Sequence, residues 1–168
     1  MSTLTSRPMS LLRLDFGELY ARHLCRHSQF GINVIHLAAL FGVWFGVYGI
    51  VYALVRVEWV PAVLAAGYLI LVALNAPVRI CAATAVFLAV FVAAVLYLPE
   101  LPIWVYAVMI PVFYELQSLS HKVFTAGADM TEFDQKYPKG FVLFVILLIY
   151  EVPLVLNYLL FDRKNWAL

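Results

Sequence analysis

Residues 32–55 form an unbroken run of 24 positions without Asp, Glu, Lys or Arg. As a helix this run is about 36 Å long, enough to cross roughly 30 Å of hydrocarbon. Three further runs, 59–78, 80–98 and 103–114, are equally free of formal charge, and 141–161 carries only Glu151. Hydrophobic residues make up 65 % of the 168 positions and charged residues 12 %. A soluble fold of this size could not cover itself with so little polar surface. The expected class is therefore an all-α, polytopic membrane helical bundle forming a single domain over residues 1–168. The expected spans are 32–55, 59–78, 80–98, 103–121 and 141–161.

Residues 1–8 read as a tail, without the apolar core of a cleavable signal. Residues 11–29 alternate leucines and aromatics with Arg13, Asp15, Glu18, Arg22 and Arg26. That pattern predicts an amphipathic helix lying at the interface, ending near Gly31. Residues 162–168 form a short tail. The net charge of +1 gives no general attraction to nucleic acid. Cys25 and Cys81, one polar and one apolar in context, are expected as free thiols. With a cytoplasmic N-terminus and five crossings, eight basic residues fall inside and three (Arg56, Arg163 and Lys164) outside. The Ala-, Val- and Arg-rich composition points to a bacterial inner membrane, with the endoplasmic reticulum the expectation for a eukaryotic source.

The four histidines are His23, His27, His36 and His121. Four crossings separate His36 from His121, so parity alone places all four on one membrane face. His23 and His27 are i, i+4 and share a helical face, as do Gln117 and His121. His36 lies within an apolar run, where an unpaired polar group is costly. A histidine set of this kind suits Fe, Zn, Cu or Ni, and open positions on iron allow O2 to bind. Asn33, three residues before His36, is expected to hold that imidazole in one tautomer. Arg22 and Arg26 flank the first pair and are placed to receive a lipid carboxylate or phosphate.

Each feature also has a plainer reading. Interfacial histidines contact headgroups, and arginines snorkel to anionic lipid. Glu115 and Glu151 can serve as neutral acids that join helices. Asp129, Glu132 and Asp134 read as a solvated connection that could add a carboxylate ligand. Gly42, Gly46 and Gly49 form a small-residue stripe suited to helix packing.

Two segments resemble signatures of the 2-hydroxy fatty acid dioxygenase family, small multi-span membrane proteins of fatty acid α-oxidation. The first is His27-Ser28-Gln29-Phe30-Gly31-Ile32-Asn33-Val34-Ile35-His36. The second is Gln117-Ser118-Leu119-Ser120-His121-Lys122-Val123-Phe124. The chain departs from the family at Thr125, where an acidic residue is usual, and at Gln29-Phe30, usually Asn-Pro. It also departs at His23 and in the stretch ending Tyr137-Pro138-Lys139-Gly140. The resemblance implies an Fe(II)-dependent dioxygenase. Its substrates would be O2 and a 2-hydroxy fatty acid, its products CO2 and an acid one carbon shorter. His27, His36 and His121 would be the metal ligands and His23 a fourth ligand or a base. Glu115 is a second catalytic candidate, Asn33 and Gln117 would orient the ligands, and Arg22 and Arg26 would meet the substrate head group. Two other readings stay open. One is a non-redox lipid or isoprenoid transformation initiated by Glu115 or Glu151. The other is a non-enzymatic membrane subunit or small transporter with Glu151 carrying the proton.

Overall fold

A computed structural model describes residues 10–124 and 140–166. The candidate loop carboxylates Asp129, Glu132 and Asp134, along with Thr125, lie outside the described residues. Among the described residues six α-helices follow in order: α1 Phe16–Arg26, α2 Phe30–Val55, α3 Trp59–Ala73, α4 Val78–Tyr97, α5 Ile103–Val123 and α6 Phe141–Phe161. A single 3-10 turn, Arg163–Asn165, closes the described chain. The architecture is an all-α bundle. Helices α2, α4, α5 and α6 are long and apolar enough to cross a membrane.

The N-terminal helix is shorter than its sequence pattern suggests. Asp15 caps it, accepting a hydrogen bond from the Glu18 N–H at 3.0 Å, so residues 11–14 stay outside. They are tied down by Asn75, which accepts from the Leu14 N–H at 2.7 Å and donates to the Leu11 carbonyl at 2.9 Å. Phe16 and Leu19 pack in one cluster with Ile80, Ile146, Tyr150 and Leu154. The apolar face of α1 is thus buried against the bundle instead of being left to lipid. The break after α1 falls at His27–Gln29, and Gly31 lies inside α2. Its missing side chain leaves room for the Phe124 ring at the end of α5.

Helix α3 has 15 residues, about 22 Å, shorter than the expected 59–78 span. The residue before a proline is driven out of the helical region, and Pro77 together with the bonded Asn75 turns the chain early. Helix α5 packs along α2 over the glycine stripe. Phe113 covers Gly42 and the Tyr106 ring covers Gly49. A Cβ at Gly46 would come within 2.8 Å of the Tyr106 carbonyl oxygen. In α6, Pro153 has no N–H for the Ile149 carbonyl. The Tyr68 hydroxyl of α3 fills that vacancy at 2.6 Å.

The direction of α6 corrects the expected topology. Helices α5 and α6 both run antiparallel to α2. Phe124 meets Gly31 and Tyr106 meets Gly49, while Glu151 meets His36 and Tyr158 meets the Ser28 carbonyl. The end of α6 therefore returns to the histidine end of the bundle, and Arg163 and Lys164 lie there and not at the opposite face. The expectation failed because it counted α6 as one more crossing away from the histidines.

The close α2–α5 contact makes a checkable claim. Gly46→Leu should destabilise the protein by about 1–3 kcal/mol through overpacking. Thermal unfolding in detergent should show a midpoint several degrees lower; an unchanged midpoint would contradict the contact.

Candidate metal centre

His27 is the residue at which α1 stops. Its backbone N–H closes the last turn on the His23 carbonyl at 2.9 Å. Its Nδ1 also lies 3.3 Å from that carbonyl. A proton on Nδ1 directed at this oxygen leaves Nε2 with a free lone pair. Nε2 of His27 is buried and has no hydrogen-bond partner.

His36 sits two turns into α2 and is fully buried. Its Nδ1 is 3.0 Å from Oε1 of Glu151 on α6. A carboxylate accepts from Nδ1–H, which again leaves the lone pair on Nε2. That nitrogen too is buried without a partner. Gln117, one turn before His121 on α5, donates from Nε2 to the same Glu151 oxygen at 2.7 Å. Glu151 is thereby held from α5 while it orients His36 of α2.

His121 completes the group from α5 and is half-buried. The ring centroids of His27 and His36 are 4.5 Å apart, and His121 lies 4.8 Å from each. One ligating nitrogen from each of the three lies within 4.8 Å of the others. Two buried imidazole nitrogens that lack donors, facing a third imidazole, form a donor set suited to a transition-metal ion. Leaving such groups unsatisfied costs about 1–3 kcal/mol each. A carboxylate behind a ligating histidine is a recurrent metal-site arrangement that fixes ring orientation and raises basicity.

The remaining expected residues fall one layer out or elsewhere. His23 stacks on His27 at 4.4 Å between centroids, and its Nε2 is paired with Oδ1 of Asn33 at 2.9 Å. Burial lowers the His23 pKa to about 4. Burial, reinforced by the neighbouring imidazoles, also holds His27 well below the ordinary histidine range. Both rings are therefore neutral at pH 7, the state that can donate a lone pair. Asn33 does not touch His36 as expected. It bonds His23 and donates to the His27 and Gln29 carbonyls at 2.6 and 2.9 Å, splinting the turn that carries His27. Arg22 is buried while Arg26 is exposed, so the two do not make one exposed clamp. Glu115 faces outward from α5, about 200° around the helix from Gln117. Among the described residues, the carboxylate that reaches the imidazoles is Glu151. Its signal in the sequence was a lone acid in an otherwise uncharged run.

The C-terminal end of the described chain braces the same turn. Tyr158 donates its hydroxyl to the Ser28 carbonyl, and Trp166 donates its indole N–H to the Tyr158 carbonyl at 2.9 Å. The Trp166 ring lies against Phe30, 4.5 Å between centroids. Tyr20 donates to Asp162 at 2.6 Å. No sequence pattern marked these contacts, because all but the Trp166–Tyr158 bond join residues more than a hundred positions apart.

Glu151→Gln should lower the affinity for Zn(II) or Fe(II) about 10–100-fold, measured by competition with a chromophoric chelator. Glu115→Gln should leave it unchanged. Equal effects of the two substitutions would contradict the assignment of Glu151 behind His36. No protein-family model, curated protein or solved structure matches the chain.

Proposed function

We propose that this protein is a membrane-embedded, Fe(II)-dependent dioxygenase that shortens 2-hydroxy fatty acids by one carbon. The observation that carries the reading is the convergence of His27, His36 and His121, two of them with buried, unpartnered Nε2 atoms. Three imidazole ligands leave coordination positions open, which iron chemistry requires and a closed structural zinc site does not. The choice of substrate rests on the resemblance of the two histidine segments to the dioxygenase family.

Iron bound there would supply the O2 chemistry that side chains lack. The chain's own residues supply the setting. Glu151 and Gln117 fix the His36 ring, and Asn33 fixes the turn bearing His27. Burial of His27 and His36 excludes water from two sides of the group. The half-buried His121 marks the open side, from which an α-hydroxy carboxylate would approach. The overall reaction balances without an external reductant. R–CH(OH)–COOH and O2 give R–COOH, CO2 and H2O; the C1–C2 bond breaks, the substrate loses four electrons and O2 gains them.

A site at the polar end of apolar helices suits a substrate with a charged head and a hydrocarbon tail. Four helices able to cross a membrane agree with an integral membrane protein. Among the described residues, Arg13, Arg22, Arg26, Arg79, Lys122, Arg163 and Lys164 lie at the histidine end, against Arg56 at the other. The positive-inside rule then favours a cytoplasmic histidine end.

Protein purified without added metal should contain iron. With a 2-hydroxy fatty acid labelled at its carboxyl carbon, it should release labelled CO2 only when O2 is present. His36→Ala and His121→Ala should abolish release while the protein stays in the membrane. Metal-free protein together with full activity of both variants would refute the proposal. CO2 release without O2 would point to non-redox chemistry.

A further inference from the structure

A second polar site lies beside α1, on the flank that carries Tyr20 and Leu24. Here α1, the turn between α3 and α4, and the end of α6 enclose a cleft of about 1000 Å³. The first turn of α4 opens onto it through Pro77 and Arg79. No side chain caps this helix. The Ile80 and Cys81 N–H groups both bond to the Pro77 carbonyl, while those of Val78 and Arg79, at the positive end of the helix dipole, have no acceptor among the described residues.

Asn157 on α6 lines the same cleft and is only 6 % exposed. Its amide makes no hydrogen bond among the described residues, which leaves it available to a ligand in the cleft. Arg79 and Lys164 border the cleft, and neither has a carboxylate partner among the described residues. The Arg79 guanidinium lies 5.4 Å from the centre of the Phe161 ring, which holds it at the rim. Two carboxylates are also present, and both are already engaged. Asp15 accepts from the Glu18 N–H. Asp162 accepts from the Tyr20 hydroxyl and from the Asn165 amide at 2.7 Å.

We infer that this cleft binds a phosphate group, held by the α4 N-terminus, the Asn157 amide, Arg79 and Lys164. A tetrahedral anion with several acceptor oxygens can take backbone, amide and cationic donors arriving from different directions. The cleft lies at the end of the bundle where headgroups lie, and Leu24, Leu74 and Phe161 give it an apolar side. A phospholipid headgroup and free phosphate offer the same recognised group. The inference does not depend on the metal centre.

The test uses the full chain in detergent, with binding read as a thermal shift and by native mass spectrometry. One arm adds phosphatidylglycerol and the other inorganic phosphate. Saturable binding in either arm is expected, weakened at least tenfold in Arg79→Gln/Lys164→Gln and in Asn157→Leu. Binding of the lipid that phosphate does not displace identifies a lipid-borne group; binding of phosphate alone identifies a free one. Arg79 and Lys164 are exposed, so the double variant keeps the fold and its unshifted baseline melting checks this. Absence of binding in both arms, or equal binding by wild type and the double variant, overturns the inference.

Discussion

An imidazole inside an apolar helix is tolerated only if both of its nitrogens have somewhere to go. At His36 one nitrogen goes to Glu151, and this contact fixes much else. It demands that α6 approach α2 at the right height and that Gln117 of α5 reach the same carboxylate. The second nitrogen faces His27 and His121 without a hydrogen-bonding partner. In a low-dielectric setting such a polar network is either completed or costly. A metal ion held there would complete it by accepting three lone pairs at once.

The rest of the bundle can be read as support for that meeting point. The glycine stripe brings α5 close to α2 and sets the position of His121. Gly31 admits Phe124 just beyond it. Asn33 locks the bend between α1 and α2 from inside, and Tyr158 locks it from α6. These devices act on backbone carbonyls at the bend, so they constrain His27 without competing for its ring nitrogen.

Much of this was legible in the sequence. Uncharged runs of bilayer length announced the helices, because desolvating backbone and charge in lipid allows few alternatives. The positions of His27, His36 and His121 announced the cluster, since an even number of crossings returns the chain to its starting face. What was not legible depends on rotation and pairing between distant helices. Glu115 and Glu151 are equivalent as lone acids in apolar runs, and only the packing shows that one faces outward and the other meets His36. Asn33 lies close to the His36 face by helical angle, yet its amide is claimed by the preceding bend. The early end of α3 followed from Asn75 bonding residues 11 and 14, a contact no local pattern reveals. The direction of α6 was missed because counting crossings assumes that every apolar helix continues the alternation.

Glu151 comes from α6, more than a hundred residues after His27 and His36. During synthesis those two imidazoles enter the membrane with neither their carboxylate brace nor His121 in place. The donor set therefore matures only after α6 has been made. A nascent chain has only a loose histidine pair, and the folded protein has a braced trio. Any choice among metal ions would thereby be postponed to the folded state, where geometry and not first encounter would decide which ion stays.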